Sequence, residues 1–189
     1  MELTGADAVE LTCFVEVPKG SRNKYEYDEE QGVLRLDRQL FASVVYPADY
    51  GFLEGTLTEE GARPGRGNPA ARIDARLDTL VLIGEPTFPG CRIDVRPIGI
   101  FQMRDETGVD DKVLCLPLGD PEWGDVHELE DVSQRVRDEI EHFFLVYKDL
   151  EPARVTAIEG WADRAKAQRE VKEAQQRFSN RTNAEPPRA

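Results

Sequence analysis

The segment RDETGVDDK, residues 104–112, holds four carboxylates and a lysine within eight consecutive positions. Carboxylates packed this closely repel one another unless cations lie between them. Oxygen donors of this kind bind hard divalent cations, although a solvated hairpin tip explains the same composition without any ligand. The spacing differs from that of an EF-hand loop. Taken alone, the segment therefore leaves a metal site and a solvated loop equally open.

Cations and hydroxyls elsewhere in the chain favour the metal site. Lys24 and Glu26 share one face of a predicted strand, and Arg38 ends the next strand within reach of that face. Further candidates lie in a constrained loop and at the end of the main predicted helix: Tyr46, Tyr50, Tyr147 and Lys148. Each of these is explained singly by a surface ion pair, a core aromatic or a helix-dipole partner. Together they are the groups that a Mg²⁺-phosphate site requires, with carboxylates for the metal and cations for phosphoryl oxygens.

Composition limits the classes of protein to which the chain can belong. Its 189 residues are 40% hydrophobic and 32% charged, which predicts one globular domain with a real core. A formal net charge of −13 argues against a nucleic-acid partner. No apolar run approaches the ~18 residues of a membrane span, and the first residues lack the features of a signal peptide. We therefore expect a cytoplasmic protein that has no nucleic-acid or membrane partner.

The pattern of apolar residues predicts strands first and helices later. Alternation predicts a strand over LTCFVEV and a hairpin formed by KYEYD and QGVLRLDR, whereas YPADYGF is expected to be an ordered loop. TLVLI and KVLCLPL are predicted strands, and a long strand between them is predicted to bend at Pro97–Gly99. Many short strands separated by Gly and Pro are typical of a small barrel.

The last third of the sequence favours helices. A helix is predicted from Ser133 to about Asp149, followed by a strand over RVTAIEGW. A second amphipathic helix is expected to carry Trp161 and Phe178 among its apolar residues. The polar end of the chain, with its Pro-Pro pair, is expected to be a disordered tail.

Several motifs in this order resemble one known family. VEVPKGSRNKYEYD, YPADYGF, EPTFPG, RPIGIFQMRDETGVDDKVLCLP and DEIEHFFLVYKDLE are similar to the soluble family I inorganic pyrophosphatases in their short bacterial form. The resemblance implies an α+β, mainly β fold: a five-stranded OB-like barrel with flanking helices. Length and composition, for their part, predict a single domain over residues 1–180 and a disordered tail at 181–189. The resemblance also implies a cytoplasmic homohexameric enzyme that hydrolyses pyrophosphate to two phosphates with Mg²⁺.

The resemblance also assigns roles to individual residues of this chain. It implies these phosphate ligands: Lys24, Arg38, Tyr50, Lys112, Tyr147 and Lys148. It implies these metal ligands: Glu16, Asp78, Asp105 and Asp110. Lys24, Arg38 and Asp110 form the implied catalytic set, and Glu26 supports the site. The implied reaction is in-line attack by a water that two metals share and activate.

One segment departs from the family pattern. The family motif before the core strand is Asp-x-Asp-Pro-x-Asp, and alignment on TLVLI makes Asp78 its third carboxylate. The other two then fall on Ile73 and Ala75, the Pro position holds Arg76, and Asp74 lies one residue out of phase. In an extended segment, a shift by one residue turns a side chain to the opposite face.

This departure leaves two interpretations of the segment. Either the longer loop GARPGRGNPAAR lets Asp74 reach the metals, or one metal position is degraded. We favour degradation, because Arg72 and Arg76 also bring positive charge towards bound Mg²⁺. The alternative to a fully active enzyme is thus an impaired or inactive homologue that binds phosphate compounds. A third reading, an oligonucleotide-binding barrel, is disfavoured by the net charge.

Overall fold

A computed structural model of the protein describes residues 11–59, 76–106, 108–152 and 155–184. The strands in this part of the chain are β1 (Leu11–Val17), β2 (Asn23–Asp28), β3 (Val33–Gln39), β4 (Asp49–Leu53), β5 (Asp78–Val81), β6 (Arg92–Asp105), β7 (Gly108–Val109), β8 (Lys112–Pro117) and β9 (Thr156–Ala162). The helices are α1 (Gln134–Val146) and α2 (Arg164–Ala184), with a 3₁₀ turn at Leu129–Asp131. None of the helices described is long and apolar enough to cross a membrane.

Five strands close into a ring. β1 pairs with β4, β4 with β5, β5 with β8, β8 with β6, and β6 returns to β1. The β5–β8 pair is parallel, whereas the other four pairs of the ring are antiparallel. β7 and β9 extend the sheet along β6. The ring and the two helices confirm the predicted mainly β fold built on a five-stranded barrel.

Both faces of the ring are covered by apolar side chains. Leu80 of β5 belongs to a core that includes Phe143 of α1, whereas the next residue, Val81, belongs to a second core that includes Val171 of α2. TLVLI is therefore confirmed as a strand, and at these residues it is buried on both faces. Cys115 lies in the second core, and burial raises the pKa of its thiol to about 12, so the thiol stays protonated at neutral pH.

The helical third of the chain differs from prediction at several boundaries. Ser133 caps α1 as expected, with its side chain accepting a hydrogen bond from Val136 N–H, but α1 ends at Val146 rather than near Asp149. The predicted strand over RVTAIEGW is confirmed as β9, and Trp161 lies in it opposite Phe101, so its placement on the second helix is wrong. α2 extends to Ala184 and so includes the first four residues of the predicted tail, whereas residues 185–189 lie outside the described part.

The prediction that YPADYGF forms a loop is wrong for its last four residues, which lie in β4. All five residues of β4 are buried. Pro47 and Gly51 indicated a turn, but Pro47 precedes the strand and Gly51 has a packing role within it. A Cβ added to Gly51 would lie 1.9 Å from the backbone oxygen of Phe14 on β1. The glycine therefore permits the close approach of two barrel strands.

We expect Gly51→Ala to destabilise the barrel strongly, because the clashing atom belongs to the backbone and cannot rotate away. We expect the free energy of unfolding to fall by about 3 kcal/mol, which lowers the melting temperature by about 6–12 °C. Thermal unfolding measures this shift. Gly124→Ala is the matched control, since its Cβ would meet the nearest atom at an ordinary 3.5 Å. Equal melting temperatures for the two variants would contradict the packing role of Gly51.

The predicted hairpin is confirmed and forms a sheet of its own. β2 and β3 pair with each other, and in the described part of the chain neither forms a ladder of backbone hydrogen bonds with a strand of the ring. Lys24 lies opposite Arg38 and Tyr25 lies opposite Leu36, so Asp37 is an extra residue on β3. Such a bulge re-aims side chains near the end of a strand. Here it lets two consecutive residues, Asp37 and Arg38, line the same pocket.

Candidate active site

An open, polar pocket of about 240 Å³ lies between the barrel, the hairpin and the end of α1. The hairpin, β4, β5, the β6–β8 turn region and the end of α1 all contribute side chains. The ionisable side chains in its lining are Lys24, Glu26, Asp37, Arg38, Tyr46, Tyr50, Asp78, Asp105, Glu106, Asp110, Lys112, Tyr147 and Lys148. Every predicted phosphate ligand is therefore in one place, as are three of the four predicted metal ligands.

The parallel β5–β8 pair builds the floor of the pocket. Thr79 is in register with Val113, so Asp78 and Lys112 lie side by side at the starts of the two strands. The ammonium of Lys112 is 2.6 Å from an Asp78 oxygen and also contacts the carboxylate of Asp110. The lysine is 2% exposed, so its charge is compensated almost entirely by protein groups.

A second cation, Lys148, lies beside the acidic loop. Its ammonium donates to Asp105 at 3.0 Å and is 3.8 Å from Glu106. The lysine belongs to the turn that follows α1, directly after the C-cap residue Tyr147. The repulsion expected within the loop is therefore relieved by lysines, and not only by solvent.

Asp111, although it belongs to the same acidic loop, does not line the pocket. One of its oxygens accepts a hydrogen bond from the backbone N–H of Met103 at 3.0 Å. Adjacent carboxylates thus have different surroundings, with Asp110 in the pocket and Asp111 holding the β6 backbone. The acidic loop is partly a site and partly a structural brace.

The hairpin supplies the opposite wall. Lys24 contacts Glu26, as their shared strand face predicted, and its ammonium is 3.5 Å from Asp37. Arg38 contacts Asp37 and donates through Nε to Glu151 at 2.9 Å. Two cations therefore stand on this wall, each beside at least one carboxylate.

The ion pairs determine the charge states in the pocket. Burial alone would lower the pKa of Lys112, but attraction to Asp110 and Asp78 outweighs burial and raises it. Burial likewise opposes the charge of Lys24, and Glu26 reverses the effect so that its pKa is raised. The pKa of Asp110 is raised by burial and by Asp78, against the attraction of Lys112. Both lysines are thus fully charged at neutral pH.

Tyrosine hydroxyls complete the lining. Burial raises the pKa of Tyr46 and of Tyr147 above that of a free phenol, so both remain protonated at neutral pH. Tyr50 donates its hydroxyl hydrogen to Asp78 at 2.6 Å. These groups can orient an oxyanion or a carboxylate by hydrogen bonding.

The carboxylates fit a hard divalent cation by chemistry, but not as a preassembled cage. Asp78, Asp105 and Asp110 offer only oxygen donors, which Mg²⁺ prefers. Within the described ranges, no three acidic, histidine or cysteine side chains converge as a ready-made metal site. Ammonium groups of Lys112 and Lys148 lie beside these carboxylates instead. The carboxylate oxygens therefore fit a divalent metal that would take over the charge compensation that the two lysines provide here.

Glu16, the fourth predicted metal ligand, lies outside the lining of this pocket. Its carboxylate accepts a hydrogen bond from the backbone N–H of Tyr27 at 2.7 Å. Val15 and Val17 pair with consecutive residues of β4, so Glu16 is an extra residue on β1. In this arrangement Glu16 fastens the hairpin to the barrel, and its role as a metal ligand stays a prediction.

The basic segment before β5 is described only from Arg76 onward, so Arg72, Ile73, Asp74 and Ala75 lie outside the described residues. The guanidinium of Arg76 is 4.1 Å from the ring centre of Phe52 and 2.5 Å from a carboxylate oxygen of Glu29 in the hairpin turn. Arg76 does not line the pocket. Its charge is therefore compensated at the hairpin and is not directed at the carboxylates of the pocket.

The sequence analysis assigned no role to two residues that contact members of the predicted catalytic set. Asp37 lies between Lys24 and Arg38, and its position next to Arg38 in the chain was the available signal. Glu151 meets Arg38 across 113 positions of sequence. That contact exists only because of the fold, and no local spacing indicates it.

A profile of the inorganic pyrophosphatase family matches residues 13–179. The chain belongs to the inorganic pyrophosphatase family. The Streptomyces coelicolor inorganic pyrophosphatase is 48% identical over 172 residues, covering 91% of this chain and 98% of the relative. This membership confirms the resemblance found from the motifs, and the family is one of enzymes.

Solved structures of inorganic pyrophosphatases have the same fold. The Thermus thermophilus protein superposes with a TM-score of 0.82 at 38% identity, covering 94% of this chain and 97% of that one. The Helicobacter pylori protein gives 0.82 at 33% identity, covering 95% and 98%. The inorganic pyrophosphatase fold thus supports the OB-like description of the five-stranded ring.

Proposed function

We propose that this chain hydrolyses inorganic pyrophosphate to two phosphates in a Mg²⁺-dependent reaction. The observation that carries the proposal is the convergence of four cations and six carboxylates in one small pocket of a chain with net charge −13. The pocket has two more carboxylates than cations, so it repels a bare polyanion. An anion that arrives with divalent cations is accepted, because the metals compensate the excess carboxylates.

The residues of the pocket divide into three roles in this proposal. Asp78, Asp105 and Asp110 would hold the metal, which when bound supplies Lewis-acid stabilisation of phosphoryl charge. The substrate phosphates are bound by charged side chains and hydroxyls: Lys24, Arg38, Tyr50, Lys112, Tyr147 and Lys148. Fixed cations around a phosphoryl group lower the barrier because they need no reorganisation as charge develops. The reaction consumes one water and breaks one P–O bond.

The direct test is phosphate release from pyrophosphate by the purified chain, with Mg²⁺ and with a chelator in its place. We expect release that saturates with Mg²⁺ and stops on chelation, since the excess carboxylates then have no counter-ion. No release above background at saturating Mg²⁺ would overturn the catalytic proposal. Calorimetric titration with Mg²⁺-pyrophosphate would then decide whether the chain still binds its ligand.

The segment that departs from the family motif favours a second candidate function, which is binding without efficient hydrolysis. Ile73 and Ala75 stand where the family has carboxylates, and neither side chain can bind a metal or accept a proton. A homologue that binds phosphate compounds with weak or no hydrolysis would keep the same cations. Binding without turnover in the experiment above would support this function.

We further propose a cytoplasmic homohexamer, as the family resemblance implies. Exposed apolar side chains near the hairpin suit contact with other copies of the chain: Leu36, Phe41 and Val45 are 59%, 57% and 49% exposed. Sedimentation of the 21.3 kDa chain should give a mass six times that of the monomer. A monomer at micromolar concentration would contradict this assembly.

A further inference from the structure

We propose that Glu151 is a positioning residue that holds Arg38 in the geometry needed to bind substrate phosphate. The inference rests on the proposed function, because it assigns to Arg38 a role in binding pyrophosphate. It adds a residue outside the predicted set of ligands, and Glu151 acts through Arg38.

Glu16 fastens the hairpin to the barrel at Tyr27, but the side chain of Arg38 needs a contact of its own outside the hairpin. β2 and β3 form a separate two-stranded sheet, so no ladder of backbone hydrogen bonds ties them to the ring. Asp37 also contacts Arg38, but it is the preceding residue of β3 and moves with it. A group that fixes Arg38 relative to the rest of the pocket must therefore come from another element.

Glu151 meets this requirement. Its Oε1 accepts a hydrogen bond from Arg38 Nε at 2.9 Å, and its side chain is 4% exposed compared with 22% for Arg38. A carboxylate buried this deeply is stable as an anion only when it is paired and hydrogen-bonded. The pairing with Arg38 supplies such a contact, unlike the exposed ion pairs of the surface, whose charges are already hydrated.

The backbone of Glu151 is itself anchored to the phosphate-binding turn. Its N–H donates to the carbonyl of Lys148 at 2.8 Å, within the turn that follows α1. The same turn supplies Tyr147 and Lys148 to the pocket. Glu151 therefore links Arg38 of the hairpin to the turn that carries Lys148. This link keeps the distance between the two sides of the pocket constant.

The geometry of the contact suits recognition of an oxyanion. Glu151 takes the Nε–H of Arg38, and one terminal nitrogen, Nη1, contacts Asp37, which also lines the pocket. A guanidinium held at Nε presents its terminal nitrogens as a rigid fork, which matches phosphate oxygens in a bidentate manner. Without Glu151, the arginine would need to be ordered by the substrate, and binding would weaken.

Steady-state hydrolysis of Mg²⁺-pyrophosphate tests the proposal through the division between KM and kcat. We expect Glu151→Ala to raise KM by about thirtyfold with a smaller change in kcat, because an ordered cation is lost from binding. Glu151→Gln retains an acceptor oxygen at the same length and should restore KM to within about fivefold of the wild type. Equal KM values for the wild type and Glu151→Ala would overturn the proposal.

A double-mutant cycle separates positioning from general stability. In an Arg38→Ala background, Glu151→Ala should change KM by less than about twofold, because the residue through which it acts is absent. An undiminished thirtyfold effect in that background would contradict the inference. Glu170→Ala is the matched control, since Glu170 pairs with Arg177 at the same 2.9 Å on α2. Its KM should equal that of the wild type.

The same variants separate this inference from the proposed function. If the wild type releases no phosphate, the hydrolysis proposal fails, and calorimetric binding of Mg²⁺-pyrophosphate replaces KM as the measurement. Weaker binding by Glu151→Ala, rescued by Glu151→Gln, would then still support the positioning role. Unchanged binding would overturn it.

Discussion

Asp110→Asn is expected to lower kcat for pyrophosphate hydrolysis by about a thousandfold, which corresponds to ~4 kcal/mol of transition-state stabilisation. The substitution removes the charge that would hold the metal, and among the described ion pairs it leaves the buried Lys112 with Asp78. Asparagine keeps the size of the side chain, so the effect is one of charge. Phosphate release at saturating Mg²⁺ measures it.

The adjacent residue provides the control for Asp110. Asp111→Asn removes the same charge one position away, but its oxygen can still accept the hydrogen bond from Met103 N–H. We expect activity within about threefold of the wild type, because this side chain does not line the pocket. Equal losses in the two variants would mean that general acidity of the loop, and not the position of Asp110, supports the reaction.

Ile73→Asp combined with Ala75→Asp is expected to raise kcat/KM by about tenfold or more. The pair restores two carboxylates at the positions where the family motif has them, and one metal ligand is worth several kcal/mol to the transition state. Both residues lie outside the part of the chain that the structure describes, so the expectation rests on their register with Asp78. Initial rates across a Mg²⁺ titration measure the gain.

Asp74→Asn distinguishes the two interpretations of the basic segment. If the metal position is degraded, the single variant should be neutral and the double variant should gain activity. If the longer loop brings Asp74 to the metals, Asp74→Asn should lose activity by about a hundredfold or more, and the added carboxylates should bring no gain. The second outcome would overturn the degradation that we favour.

Parts of the fold could be predicted because their cause is local. The hairpin follows from alternation around a Gly turn, and the bend of β6 at Pro97–Gly99 appears as a shift of register against β8. β4 could not be predicted in this way. Its Gly51 is required by the close backbone of Phe14 on β1. Because the sequence does not show that contact, the glycine was interpreted as a sign of a turn.

The candidate site divides in the same manner. Lys24 and Glu26 were predicted to meet because they are two residues apart on one strand, and they do. Chemistry and resemblance placed Lys112, Lys148 and their carboxylate partners in the site, but they did not predict which lysine pairs with which carboxylate. Glu151 was missed because its function depends on an arginine 113 residues away. Long-range pairing of charges is set by topology, and residue spacing does not contain it.

The parallel pairing of β5 with β8 has a consequence for how activity is acquired. Asp78 and Lys112 become neighbours only after the strands between them have crossed the barrel, since the two residues are 34 positions apart. Closure of the ring by β1 and β6 joins segments even more distant in sequence. A partly folded chain with both helices formed would thus have no assembled pocket. During refolding, enzymatic turnover should therefore recover more slowly than the circular-dichroism signal of the helices. The recovery of turnover would report the pairing of the last strands of the barrel.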